Sequence, residues 1–152
     1  MRRIMLALLA AAIAAATTVP LAASADRDEK LVIGVRVDFV SSTHAEGTFA
    51  ACCAVNDSGT AQADVTSFTV KPNDIAEFEA IETFAGANGT FRLALRGTTG
   101  PLSSANHIAR GHWRVVDGTG AYADLEGRGR FTAVTNQATG ALTAINTGRG
   151  DD

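Results

Sequence analysis

The chain has 152 residues, a length that suits one domain with a single hydrophobic core. Its 13 Lys and Arg residues against 16 Asp and Glu residues give a formal net charge of −3 at pH 7. A chain with this acidic balance is not expected to bind nucleic acid or an anionic membrane through its overall charge.

The N-terminus has the pattern of a secretory signal peptide. Arg2 and Arg3 form a basic start, residues 4–21 are mostly apolar, and residues 23–25 (Ala-Ser-Ala) fit the small-x-small cleavage pattern. We therefore predict a helical signal peptide over residues 1–25, cleavage before Asp26 and a secreted protein. A membrane anchor is the weaker alternative, because the run is rich in alanine and barely reaches the roughly 20 apolar residues that a spanning helix needs. Cleavage would leave 11 basic and 16 acidic residues, a net charge near −5.

From residue 31 onward, extended runs alternate with turn signals, and no helical period is evident. The first run is the clearest, since apolar side chains occupy every second position from Leu31 to Phe39. Asn88-Gly89 is the strongest of the turn signals between runs. The predicted strands cover residues 31–40, 46–55, 60–70, 75–84, 90–96, 106–117, 127–134 and 141–147, with an Asn-Asp-Ser-Gly turn over 56–59.

These runs predict an all-β fold, an eight-stranded antiparallel up-and-down β-barrel over residues 26–148, followed by a disordered tail over 149–152. Closure removes exposed sheet edges, and eight strands leave a lumen wide enough for side chains or one small ligand. An open two-sheet sandwich is the alternative. An immunoglobulin-type sandwich is disfavoured because it needs cysteines on different strands, whereas Cys52 and Cys53 are adjacent.

Residues 111–129 contain the single Trp and the single Tyr of the chain, and they predict a strand, a glycine corner and a second strand. Gly118 and Gly120 permit a tight corner, and Tyr122 and Leu125 are spaced to cover the end of the sheet together. Gly127 and Gly129 leave room on one face for the ring of Trp113. A phosphate-binding loop is disfavoured, because no amphipathic helix follows the glycines.

Five segments carry a resemblance to known proteins: residues 47–49, 57–60, 84–91, 111–122 and 125–127. They resemble a group of small secreted bacterial proteins that are similar in pattern to the allene oxide cyclase and dirigent barrels. The resemblance covers most of residues 45–148 and implies an eight-stranded, calycin-type barrel with a cavity. It carries no activity across, because no functional acid of the cyclases or dirigent proteins matches a position here.

Glu82 is the candidate for acid–base chemistry, although no nucleophile motif or catalytic triad accompanies it. It shares a face with Phe78, and burial in a lumen would raise its pKa. A β-bulge would instead leave it in water beside Glu77 and Glu79, and this second interpretation is slightly favoured. The candidate ligand-binding residues are Phe78, Glu82, Phe91, His107, Trp113 and Tyr122.

Cys52 and Cys53 are expected to point to opposite faces of a strand, with Cys53 inward as a small apolar side chain. Export favours oxidation, so a strained disulfide between these neighbours or an intermolecular bridge through Cys52 stays open. The Cα atoms of neighbouring residues are about 3.8 Å apart, below the usual minimum of roughly 4.4 Å for a disulfide. The three histidines are scattered without metal-ligand spacing, so no metal site and no cofactor are predicted.

The arginines fall mostly on faces opposite the apolar ones, where we expect them to be solvated and interleaved with acids.

Three functions stay open at this stage. The first is a secreted barrel that binds a small, mostly apolar molecule in its lumen, and the second is a cyclase- or isomerase-like enzyme that uses Glu82. The third is a structural or protein-interaction module with a packed barrel. A non-enzymatic role is favoured, and self-association is left open.

Overall fold

The computed structural model describes residues 29–151. The predicted signal peptide lies outside the described residues. Within the described part of the chain, no helix is long and apolar enough to cross a membrane. The strands are β1 (Glu29–Phe39), β2 (His44–Cys53), β3 (Asp57–Val70), β4 (Ala76–Gly86), β5 (Thr90–Gly100), β6 (Asn106–Gly118), β7 (Glu126–Asn136) and β8 (Ala141–Asp151), with a 3₁₀ turn at Gly120–Tyr122.

The eight strands pair antiparallel in sequence order, and β8 pairs with β1, so the sheet is a closed up-and-down barrel. The predicted fold class is confirmed at this level, and the open sandwich is wrong. The chain connections 40–43, 71–75, 101–105 and 137–140 lie at one end, which we call the upper end. The connections 54–56, 87–89 and 119–125 lie at the other end, the lower end.

Three boundary predictions are wrong, and one of them is the end of β5, which continues past the predicted residue 96 to Gly100. The tail predicted to be disordered from residue 149 continues β8 to Asp151, because Arg149 pairs with Lys30 and Gly150 pairs with Glu29. The turn predicted over 56–59 is shorter, since β3 begins at Asp57. Asp57 is fixed there because its carboxylate accepts hydrogen bonds from the backbone N–H groups of Ser58, Ala87 and Asn88.

Strict alternation places one apolar face of every strand inside the barrel. Leu31, Ile33, Val35 and Val37 of β1 are all at most 4% exposed, as the sequence pattern predicts. The strand register shifts at two irregularities. One is in β3 between Val65 and Ser67, and the other is in the pairing of β5 with β6, between Arg92 and Leu93. Strand β4 pairs without interruption, so the β-bulge that would have moved Glu82 into water is absent from it.

The lower end is closed by the connection between β6 and β7. Tyr122 and Leu125 are each 4% exposed and cover the barrel as predicted. The corner requires glycine, because a Cβ at Gly118 would lie 1.9 Å from the carbonyl oxygen of Tyr122 and Gly120 has a φ of +64°. Val55, 1% exposed, completes the closure from the β2–β3 connection.

Candidate functional site

A polar pair lies inside the barrel. Asn146 Nδ2 donates a hydrogen bond of 2.8 Å to Glu82 Oε2, and the two residues are 0% and 5% exposed. Glu82 belongs to β4 and Asn146 to β8, which stand on opposite sides of the eight-stranded ring. The hydrogen bond therefore crosses the lumen, and the expectation that Glu82 lies in water is wrong.

Burial changes the protonation of Glu82. Loss of water raises the pKa of its carboxyl from 4.5 to about 7, and the hydrogen bond from Asn146 opposes this rise. At neutral pH the group is thus divided between its protonated and ionised forms. It can donate or accept a proton in a place from which bulk water is largely excluded.

Asn146 carries an unsatisfied acceptor. Its Oδ1 is buried and has no hydrogen-bond partner in the part of the chain that the structure describes. A buried polar atom without a partner costs about 1–3 kcal/mol, so such atoms commonly mark a place where another group binds. A hydroxyl or amine donor from a ligand would satisfy Oδ1 directly.

Small side chains surround the lumen above this pair, toward the upper end. Ala109, Ala133 and Ala144 are consecutive cross-strand partners on β6, β7 and β8 and are 3–7% exposed. Ala80 lies one inward position above Glu82 on β4. The inner face of the barrel at these positions is therefore formed by small apolar side chains.

Aromatic rings fill the lumen below the pair. Phe84 and Phe91 stack with ring centroids 4.9 Å apart, and Phe49 meets both rings edge-on. Tyr122 packs edge-on against Phe91 at 5.3 Å, while its hydroxyl donates to Asp57 Oδ2 at 2.8 Å. These rings form a packed floor, so Phe91 and Tyr122 support the site from below.

The other predicted site residues lie at different levels of the barrel. Phe78 is half-buried near the upper end and packs edge-on against Phe131 at 5.9 Å. His107, also half-buried, bonds to the carbonyl oxygen of Leu102 at 3.0 Å and to the side chain of Gln137 at 2.9 Å, so it fixes two upper connections. His107 therefore lies at the upper rim of the barrel.

Trp113 packs into the wall of the barrel. It is 2% exposed, and its Nε1 donates to the carbonyl oxygen of Arg130 at 3.1 Å. A Cβ at Gly129 or Gly148 would lie 2.7 or 2.6 Å from its ring. The predicted space for the indole is confirmed at Gly129, whereas a Cβ at Gly127 would meet Val115 instead.

The two cysteines lie on the outside at the lower end. Both thiols are free and exposed, with their sulfur atoms 2.8 Å apart. The inward position predicted for Cys53 is wrong, because its φ of +83° turns its side chain out of the alternation. Among residues 29–151, no cluster of three or more His, Cys, Asp or Glu side chains could hold a metal ion.

Two surface grooves lie outside the lumen. One of about 540 Å³ lies between the end of β6 and the 119–125 connection. The other, of about 430 Å³, is lined by β3 to β6 and includes Ser67, Glu79 and His112. Neither contains the Glu82–Asn146 pair.

Sequence reasoning missed Asn146. The available signal was its place on the inward face of β8, where Leu142 and Ala144 precede it at every second position.

Comparisons with protein-family profiles, curated proteins and solved structures gave no match for this chain.

Proposed function

We propose that this protein is a secreted barrel of the allene oxide cyclase and dirigent type, which binds a small, mostly apolar molecule in its lumen. The observation that carries the proposal is the buried Glu82–Asn146 pair, with its unsatisfied Asn146 Oδ1, in an otherwise apolar interior. Binding sites for small molecules are typically apolar with a few placed polar groups. The alanines above the pair would line the site, and the aromatic rings would form its base.

The polar pair also defines the ligand. A molecule with an alkyl or ring body and one hydroxyl or amine donor would place its body against Ala109, Ala133 and Ala144. Its donor would reach Asn146 Oδ1, where it removes the cost of the unpaired acceptor. The ligand would enter from the upper end, because Tyr122 and Leu125 cover the lower end.

Titration with the neutral fluorescent probe N-phenyl-1-naphthylamine tests the proposal. Ala133→Phe fills the lumen and should abolish probe binding, whereas the neighbouring Thr132→Phe on the outer wall should leave it unchanged. If Ala133→Phe does not fold, Ala80→Leu serves as the test instead, because it adds less side-chain volume to the lumen. Equal probe binding by the filled and control variants, or none by the unaltered barrel, would favour the packed module instead.

Competition by matched ligands tests the role of the polar pair. We expect 1-decanol to displace the probe at lower concentration than decane, because only the alcohol can donate to Asn146. The Asn146→Leu variant should lose this preference and still bind decane. If the unaltered barrel shows no preference for the alcohol, the assigned role of Asn146 is incorrect.

The enzyme alternative is favoured by one observation, the pKa of about 7 for Glu82 inside the lumen. A carboxyl poised near neutral pH is suited to general acid or base catalysis of an isomerisation or cyclisation. Once a substrate is found, turnover should fall at least about 100-fold in Glu82→Gln, in line with typical contributions of acid–base groups. Unchanged turnover would exclude this mechanism.

Secretion rests on the N-terminal sequence pattern. The intact mass of protein recovered from the medium of an expressing culture should correspond to a chain that begins near Asp26. Retention of the full chain in the cell fraction would contradict export.

A further inference from the structure

Basic side chains are concentrated on one outer wall of the barrel, which we call the basic wall. Arg114, Arg128, Arg149 and Lys30 are consecutive cross-strand partners on β6, β7, β8 and β1. Neighbouring strands are about 4.8 Å apart, so this row holds positive charges at close spacing around the barrel.

A second basic row runs beside the first, closer to the upper end. Arg96, His112 and Arg130 are consecutive partners on β5, β6 and β7, and Arg110 lies one outward position above His112. All are exposed. Arg96 approaches Glu79 at 3.7 Å, whereas within residues 29–151 Arg110, Arg114, Arg128 and Arg130 form no ion pair.

Acidic side chains lie on both walls of the barrel, and Glu126 and Asp151 are cross-strand partners at the lower edge of the basic wall. Glu46, Asp64, Glu77 and Glu79 are on β2, β3 and β4, where Asp64 and Glu46 bond to His44 at 2.6 and 3.1 Å. The expected interleaving of arginines with acids therefore holds at the lower edge of the basic wall, whereas the two basic rows themselves contain no acid. Like charges on directly opposed residues destabilise a sheet, so the pairing of Arg114 with Arg128 does not by itself stabilise the barrel.

Aliphatic side chains are exposed on the same wall. Ile108 and Val134 are cross-strand partners at its upper edge and are 42% and 44% exposed. Ile145 is 54% exposed and pairs with Thr132, the partner of Arg110. The wall thus changes from aliphatic at the upper end to basic at the lower end.

We propose that the basic wall docks the barrel on the surface of an anionic phospholipid bilayer. Arginine suits headgroup phosphates, because its planar guanidinium can donate two parallel hydrogen bonds to them. The exposed aliphatics would enter the boundary between headgroups and acyl chains, a contact that a phosphodiester polymer does not offer. Overall negative charge does not prevent such docking, because the two adjacent basic rows form a local positive patch that orients the barrel toward the surface.

Vesicle co-sedimentation tests this docking. The chain from Asp26 onward is used, since residues 29–151 form the closed barrel and its core and the apolar run 4–21 would itself insert. We expect binding to vesicles of phosphatidylglycerol and phosphatidylcholine at 0.1 M NaCl, and little binding to phosphatidylcholine alone. Arg114→Gln with Arg128→Gln should weaken binding on the order of 30-fold, from about 1 kcal/mol for each arginine near such a surface.

A matched control removes the same charge elsewhere. Lys71→Gln with Arg36→Gln changes two residues outside the basic rows, Lys71 where it pairs with Glu77 and Arg36 on the upper half of β1, and should change vesicle binding less than threefold. Equal weakening by the two double variants, or equal binding to both vesicle types, would overturn the proposal.

Replacing the aliphatics distinguishes lipid from a soluble polyanion. Ile108→Ser, Val134→Ser and Ile145→Ser together should weaken vesicle binding at least fivefold and leave binding to a 24-base-pair DNA duplex unchanged. Duplex binding as strong as vesicle binding, with no effect of the serine changes on either, would assign the wall to a phosphodiester polymer and overturn the lipid assignment.

Discussion

The hydrogen bond from Asn146 Nδ2 to Glu82 Oε2 joins β8 to β4 through the interior of the barrel at 2.8 Å. Strand pairing alone connects these strands only by way of their neighbours around the ring. One polar pair thus couples opposite sides of the wall, and its protonation state affects the stability of the whole domain.

The first prediction is a pH dependence that originates at Glu82. An unfolded chain has this carboxyl in water with a pKa near 4.5, whereas the barrel raises it to about 7. Below pH 4.5 the Glu82 carboxyl is protonated in both the folded and the unfolded chain, so its favourable contribution to the free energy of unfolding is fully present. As pH rises toward 7 the unfolded state loses its proton first, so the free energy of unfolding falls by roughly 3 kcal/mol and then levels off.

Urea unfolding of the unaltered chain and of Glu82→Gln between pH 4.5 and 8.5 measures this contribution. The glutamine is neutral throughout, so the difference between the two proteins should grow across this range in favour of the variant. Subtraction removes the effects of His44 and of the surface acids, which titrate in both proteins. A difference that stays constant with pH would show that Glu82 is not buried as described.

The second prediction concerns the amide partner. Asn146→Leu removes the hydrogen bond that holds down the pKa of Glu82, so it should destabilise the barrel at pH 8 by about 1–3 kcal/mol and less at pH 5. Adding Glu82→Met should recover most of the loss, because replacing both partners with apolar groups leaves no unpaired polar atom. Additive effects of the two changes would indicate that the side chains do not interact.

Much of the fold followed from local sequence pattern, whereas the site did not. Alternation alone placed Leu31, Phe91 and Trp113 inside the barrel, since each lies in an uninterrupted extended run. The partner of Glu82 was not predictable, because a contact across the lumen depends on how the strands are staggered around the ring. The inward position of Glu82 also depended on which strand carried the β-bulge, and the irregularity is in β3.

The basic wall and Cys53 show two further limits of sequence reasoning. Arg114, Arg128 and Arg149 are far apart in sequence, and only strand register brings them together. Net charge cannot reveal such a local cluster of like charges. Cys53 departs from alternation through a positive φ, which no local sequence signal indicated.

The third prediction concerns the packing of Trp113. A Cβ at Gly129 would lie 2.0 Å from the carbonyl oxygen of Thr147 and 2.7 Å from the indole ring, so both the backbone and the ring would have to move. Gly129→Ala should therefore lower the free energy of unfolding by about 3 kcal/mol, the upper part of the range for overpacking. Urea unfolding followed by the fluorescence of Trp113 reports both stability and the environment of the ring.

A matched substitution at a second glycine controls for the general effect of replacing glycine with alanine in a strand. A Cβ at Gly34, on the outer face of β1, would have its nearest contact at 3.8 Å. Gly34→Ala should be neutral or more stable by about 0.5 kcal/mol, because alanine restricts the unfolded chain. Similar losses at both glycines would show that the indole does not set the requirement at Gly129.

The fourth prediction concerns the lower end, where Asp57 connects three turns. The hydrogen bond from the Tyr122 hydroxyl, followed by the backbone N–H of Asn88, lowers the pKa of the Asp57 carboxyl. Its contribution to stability is present above the unfolded pKa and is lost as pH falls through the lower folded value. Tyr122→Phe should be less stable at pH 7, and its deficit should shrink as Asp57 becomes protonated. A deficit that is the same at pH 7 and pH 2.5 would assign the loss to packing alone.

The last prediction separates backbone strain from thiol contact at Cys53. A φ of +83° is unfavourable for any residue with a Cβ, and the sulfur contact of 2.8 Å with Cys52 accompanies it. Cys53→Gly and Cys53→Ala both remove the thiol, but only glycine adopts this φ without strain. We therefore expect Cys53→Gly to unfold at a higher temperature than Cys53→Ala, with Cys52→Ala as the control for loss of the sulfur contact. If Cys53→Ala is at least as stable as Cys53→Gly, the backbone at this position relaxes when the thiols are separated, and contact between the two sulfur atoms is what holds the positive φ.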